Sequence, residues 1–201
     1  MTDTDGKDSQ YAGKELDFLQ KLIFDLLLVT DGRTTDLLET LLDEKMRVTV
    51  IRQEQLNEVP ADYQVDSSAA LLYLRESLLI SDKSDFIVSH NIAIVNSKYV
   101  PASLFESIAH RQEGIGKSIS SMGLQSYRKV VDSGLKGEEE AVDLFQKPLN
   151  LRISDLHTTK IPYKRYDIYF QVLPGIHMLE YFNPEVIRYR LNKVLNSKME
   201  G

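Results

Sequence analysis

The sequence predicts an α+β fold: helices first, then a largely antiparallel β-sheet with further helices inserted into it. Three observations carry that expectation. Apolar residues up to about residue 42 recur at helical spacing, and from residue 48 they follow the alternating period of strands. The segments joining the later strands are short turns of the hairpin kind, which favours antiparallel neighbours over parallel crossovers.

Residues 1–12 are polar and acidic and are expected to be a disordered tail. From Glu15, the positions Leu16, Leu19, Leu22, Ile23, Leu26 and Leu27 predict a helix, which ends at Thr30-Asp31-Gly32. Thr34 or Thr35 can cap a second helix with Leu37, Leu38, Leu41 and Leu42 as its inner stripe. Strand patterns follow over 48–53, 71–80 and 86–95, with a loop over 57–68 and a turn over 81–85. Pro101 suits the first turn of a helix carrying Leu104, Phe105 and Ile108. Gly114-Ile115-Gly116 precedes a short helix over 117–122, a strand over 124–131 and another short helix over 138–145. Strands are expected over 149–156, 166–173 and 176–182, the last two separated by a Pro174-Gly175 turn, and a helix over 185–195. The domain expected from this order spans 13–184, with 185–201 as a helical tail.

The bulk composition narrows the function classes. With 201 residues, 42% apolar and 27% charged, the chain matches an ordinary globular domain with a full core. A formal net charge of -6, without any Lys/Arg run, argues against a nucleic-acid partner. The residues ahead of position 15 are too few for a helix-turn-helix. The longest apolar cluster, 22–29, is interrupted by Asp25 and is far too short to span a bilayer. The acidic start lacks the form of a signal peptide, so a cytoplasmic location is expected. The absence of Cys excludes disulfides, thiolate metal sites and a cysteine nucleophile. His90, His110, His157 and His177 show no metal-ligand spacing, so no metal and no cofactor are expected.

Arg75 carries the most information. It stands inside an apolar strand run, where burying a guanidinium is expensive without an anionic partner. Period 2 places it on one strand face with Tyr73, Ser77 and Leu79, and places Leu72, Leu74, Glu76, Leu78 and Ile80 on the other. Glu180 occupies a similar apolar run. A cation and a carboxylate projecting into one cavity would suit a ligand bearing a carboxylate and a hydroxyl. The competing reading is a buried structural pair between the two. Gly114-Ile115-Gly116 could bring backbone amides close to a ligand, or be a plain turn. Arg33 could reach an anion, although solvent is its ordinary place.

Taken in order, several segments resemble the chorismate pyruvate-lyases and their archaeal and bacterial relatives. They are residues 27–39 (LLVTDGRTTDLLE), 48–53 (VTVIRQ), 74–79 (LRESLL), 114–117 (GIGK), 127–134 (YRKVVDSG) and 179–184 (LEYFNP). The resemblance implies a chorismate lyase-like antiparallel sheet with helices closing over a buried pocket. It implies elimination of pyruvate from chorismate to leave 4-hydroxybenzoate, with no metal or organic cofactor. It implies that Arg75 holds a carboxylate, that Glu180 meets the ring hydroxyl, and that amides at Gly114, Ile115 and Thr34 hold the same ligand. Arg128 matches an arginine of the family, with a solvated strand residue as the alternative. Arg33 and Thr34 depart from the family pattern, which has a small polar and a larger apolar residue at those places, and the extra cation could suit a second carboxylate.

Two function classes follow. The first is a lyase acting on chorismate or a close relative. The second is a non-catalytic small-molecule-binding domain like the ligand-sensing (UTRA) domains of GntR-type regulators, which resemble the same fold, for an aromatic or hydroxy-carboxylate ligand. In a third possibility, Arg75 and Glu180 are merely paired and the role is structural.

Overall fold

The computed structural model describes residues 4–57, 60, 63, 70–110, 114–153 and 160–199. Among these lie five α-helices and one six-stranded antiparallel sheet in the order β1-β2-β3-β6-β5-β4. The strands are β1 (Met46–Leu56), β2 (Leu72–Ser81), β3 (Ile87–Asn96), β4 (Tyr127–Lys136), β5 (Ile161–Tyr169) and β6 (Pro174–Phe182). Helices α1 (Thr4–Val29) and α2 (Thr34–Leu42) precede the sheet. Helices α3 (Ala102–His110) and α4 (Ile115–Ser121) lie between β3 and β4, and α5 (Val186–Met199) follows β6. None of the helices is long and apolar enough to cross a membrane among the described residues.

The expected α+β architecture is therefore present, with several local differences. Helix α1 begins at Thr4, inside the stretch expected as a tail. Its core-facing side is Phe24, Leu27 and Leu28, with Leu16 and Ile23 partly covered, while Leu19, Leu22 and Leu26 are exposed. The helix expected from the apolar period is present, and its apolar residues lie on two sides, one buried and one exposed. The expected helix over 138–145 is a single 3₁₀ turn, Glu138–Glu140. The chain after it runs in extended and turn conformations, and Ala141, Leu144 and Ile153 pack onto the sheet. The strand expected over 149–156 is not a strand in its described part, 149–153. The loop expected over 57–68 lies largely outside the described residues. Pro174 and Gly175 open β6 rather than forming the turn before it. Gly175 is needed there for space, since a Cβ would meet the Tyr99 carbonyl oxygen at 2.6 Å.

Two three-stranded meanders make the sheet. β1-β2-β3 and β4-β5-β6 each run through neighbouring pairs, and β3 joins β6 in the middle. The central strands β2, β3 and β6 are buried along nearly their whole length, so both faces are covered. One face packs against 141–153, where the Tyr181 hydroxyl donates to Val142 O at 2.8 Å and accepts from Val142 N at 3.0 Å. The helices α1 to α4 lie against the opposite face. The edge strands β1 and β4 each carry a bulge, at Val50/Arg52 and Val130/Asp132, which interrupts the edge ladder.

Glu44, just past α2, ties α5 to this frame. Its carboxylate is buried and accepts hydrogen bonds from Lys193, from Ser81, from Ser84 at 2.8 Å and from Tyr189 at 3.2 Å. Burial pushes this carboxyl up, but the Lys193, Ser81 and Ser84 hydrogen bonds outweigh it and bring the pKa down to about 2 from 4.5. A folded-state pKa below the unfolded value gives stability that is complete above the unfolded pKa of 4.5 and is lost as pH falls toward 2. Glu44→Gln is expected to destabilise the fold at pH 7 by on the order of 3 kcal/mol, and so to lower its melting temperature. It should also flatten the acid limb of the melting-temperature profile between pH 5 and 2. A profile parallel to wild type on that limb would refute this assignment.

Candidate functional site

Between the helix-covered face of the sheet and the helices lies a cavity of about 740 Å³. Its floor comes from alternate residues of four strands. Register aligns Arg75 with Ala93, Ala93 with Met178 and Met178 with Tyr166, and two residues further on it aligns Ser77 with Asn91 and Asn91 with Glu180. All of these line the cavity. The period-2 assignment of Arg75, Ser77 and Leu79 to one face is thus realised. His177 follows the same rule to the opposite face, away from Glu180, where its Nδ1 meets Asp167 Oδ1 at 2.6 Å.

Arg75 is 2% exposed. It donates to the Ile108 carbonyl at 3.1 Å and to Gln53 Oε1 at 3.5 Å. Gln53 is itself oriented by a bond from its amide nitrogen to Ala109 O at 3.0 Å. Both carbonyls belong to the last turn of α3, whose end has unsatisfied acceptors and a partial negative charge. Burial lowers the Arg75 pKa, although a guanidinium stays charged under all ordinary conditions.

Glu180 stands on β6, two strands from β2, and from strand spacing and rise its Cα lies about 12 Å from that of Arg75. Neither carboxylate oxygen of Glu180 is bonded to Arg75, so the two do not form a contact pair. The Tyr166 hydroxyl donates to Glu180 Oε1 at 3.3 Å, while Oε2 is buried without a hydrogen-bond partner. Burial raises the Glu180 pKa. Lys164, the Tyr166 hydroxyl, Arg128 and the Thr34 hydroxyl act against it without cancelling it.

All seven residues singled out in the sequence, Arg33, Thr34, Arg75, Gly114, Ile115, Arg128 and Glu180, line this cavity. Two of their local settings differ from expectation, the capping of α2 and the burial of Arg128. Neither threonine caps α2. Arg33 is its N-cap residue without a side-chain cap bond, and Thr34 is buried inside the first turn. Arg33 lies at the rim, held by Asp36 at 2.9 Å and by the Ser120 hydroxyl at 3.2 Å. Arg128 is half-buried rather than solvated and sits beside Gly116 and Tyr166. The Ile115 side chain is buried in the core, so only its backbone is available to a ligand. At Gly114 a Cβ would approach Val48 Cγ2 to 3.0 Å, so this wall is closely packed.

The sequence reading does not single out two polar groups that line the cavity, Asn91 and Tyr166, or Lys164 behind its wall. Asn91 lines the cavity with a buried, unpartnered Oδ1. Tyr166 and Lys164 share one face of β5 with Ile168, and that alternation was the available signal. The run Tyr163-Lys164-Arg165-Tyr166-Asp167 reads as a solvated strand until α1 is seen to cover it.

No family model matches the chain, and no curated protein matches it. Solved structures do. PhnF from Mycobacterium smegmatis is 13% identical with a TM-score of 0.50, over 77% of this chain and 65% of that chain. The likeness is one of fold. The effector domain of the same PhnF is 14% identical over 77% and 90% of the two chains, with a TM-score of 0.49. The C-terminal domain of the histidine utilization repressor from Pseudomonas syringae pv. tomato is 11% identical over 69% and 92%, with a TM-score of 0.40.

Tyr166→Phe keeps the ring and removes the hydroxyl that reaches Glu180. It is expected to cost about 1 kcal/mol in urea unfolding with an unchanged m value. No measurable loss would mean that this hydrogen bond does not help to satisfy the buried carboxylate.

Proposed function

We propose that this chain is a UTRA-like small-molecule-binding domain whose cavity takes an aromatic or hydroxy-carboxylate ligand. In this reading Arg75 receives the carboxylate and Glu180 accepts a hydrogen bond from the hydroxyl. The observation that carries it is the placement of these two buried groups on separate strands of one sheet face, both open to the same cavity. A volume of about 740 Å³ lies in the range of small-molecule sites. A planar guanidinium suits bidentate capture of a carboxylate. The backbone at 114–116 and Thr34 forms the walls that would close on the ring.

A second reading is catalysis: elimination of pyruvate from chorismate to give 4-hydroxybenzoate. The sequence resemblance favours it, together with the presence in one cavity of every residue that the resemblance singles out. The reaction breaks an ether bond and yields an aromatic ring, so the site would need chiefly to position the substrate and stabilise the charge of the departing enolpyruvate.

Titration calorimetry with 4-hydroxybenzoate and benzoate tests the binding reading. Wild type should bind 4-hydroxybenzoate, and Arg75→Ala should weaken it by about 10- to 100-fold, the loss of one charge-assisted pair. Equal binding by Arg75→Ala would sink the assignment. Incubation with chorismate separates the two readings. Pyruvate and 4-hydroxybenzoate released in equal amounts by wild type, and sharply reduced in Glu180→Gln, would establish the lyase. Pyruvate at the spontaneous background would leave the binding domain.

A further inference from the structure

Lys164 is buried to 1% exposure, yet it is not among the residues that line the cavity. Its ammonium donates to Leu27 O at 3.0 Å, to Thr30 O at 3.3 Å and to Thr34 Oγ1 at 3.0 Å. All three protons are thus engaged. The Leu27 carbonyl lies in the last turn of α1, the Thr30 carbonyl just past it, and the hydroxyl opens α2, so one side chain on β5 holds the junction between the helices against the sheet. The register also sets Lys164 directly opposite Glu180 in the β5–β6 pair. Directly opposed residues on one face have Cβ atoms about 5 Å apart. The ammonium lies 5.3 Å from the centre of the Tyr166 ring, whose hydroxyl is bonded to Glu180.

An ammonium has no acceptor, so Thr34 can only accept from Lys164. Its single hydroxyl proton must then be given elsewhere, and the cavity with Glu180 lies on its other side. We propose that Lys164 is the positioning residue of the ligand site: from outside the cavity wall it sets a cation opposite Glu180 and turns the Thr34 hydroxyl proton toward the Glu180 carboxyl. This deepens the binding function proposed above and rests on it for the role of Glu180.

The groups facing Glu180 are few enough to be separated. Lys164 and Tyr166 approach from β5, Arg128 from β4 and the uncharged Thr34 and Asn91 from α2 and β3, while Arg75 stands farther off on β2. Asp31, in the turn between α1 and α2, acts on Lys164 in the opposite sense to Arg128. Removing the ammonium withdraws the opposed cation from a buried carboxyl. The proton should then be held to higher pH, and a carboxylate acceptor for a ligand hydroxyl is lost as pH falls through that midpoint.

The test needs no ligand. The Glu180 side-chain carbon is titrated by NMR in ¹³C-glutamate-labelled protein, assigned by its absence in Glu180→Gln. Lys164→Met should raise the midpoint by about 1–3 pH units, whereas Lys164→Arg should leave it near wild type. A midpoint unmoved in Lys164→Met would overturn the proposal. If Lys164→Met does not fold, the reciprocal measurement decides: Glu180→Gln should lower the ¹⁵Nζ midpoint of Lys164, and no change would overturn it equally. With 4-hydroxybenzoate as probe, the acid limb of binding should move upward in Lys164→Met, while benzoate, which has no hydroxyl, should show no such movement. If wild type binds neither probe but the carboxyl midpoint still shifts, the ligand reading fails and the coupling of Lys164 to Glu180 stands.

Discussion

The pairing of β3 with β6 is the constraint on which the rest of the structure depends. It joins two meanders that each bring half of the cavity floor: Arg75 and Ser77 from one, Glu180 and Tyr166 from the other. Register decides whether those halves face the same way. A slip of one residue between β3 and β6 would turn Glu180 to the face packed by 141–153 and bring Leu179 into the cavity. Burial of both faces resists such a slip, because every residue of β3 and β6 after the first is enclosed.

Buried charge then determines how the helices sit on that floor. Arg75 and Lys164 solve the same problem at different places on one sheet face. Each cation finds acceptors among the last carbonyls of a helix, α3 for Arg75 and α1 for Lys164, where intrahelical donors have run out. The arrangement satisfies the cation and fixes the helix end together. It leaves Glu180 with an oxygen that has no partner, in a place where burial opposes its ionisation. Such a group is costly in a purely structural core and useful in a site that recognises a hydroxyl. Glu44 shows the contrasting case, a buried carboxylate whose two oxygens are saturated by four donors and which serves to hold α5 in place.

Most of the elements could be anticipated because their signals are local. The hairpin of β2 and β3 is marked by Ser81-Asp82-Lys83-Ser84-Asp85, and α3 by Pro101 followed by Leu104 and Ile108. Where expectation failed, the deciding contact was distant. The residues after Glu140 have helical composition, but they lie across the sheet, held by Tyr181 some forty positions away. Gly175 looked like a turn residue because Pro-Gly usually is one, whereas here it makes room for the backbone at Tyr99.

The sequence by itself determined the fold class and the two ends of the candidate site. Strand alternation and turn chemistry act over a few residues, and a charge set in an apolar run, as with Arg75 and Glu180, betrays its burial by its neighbours alone. Only the tertiary structure decided that Lys164 is buried, that Thr34 faces inward instead of capping its helix, and that Arg75 and Glu180 share a cavity without touching. Lys164 lies in a run that is polar on both faces, and its burial follows from the docking of α1 onto β5, a contact between segments more than 130 residues apart. Spacing along the chain carries no record of that docking, because what selects it is the pairing of charge, carbonyl and sheet register across the assembled core.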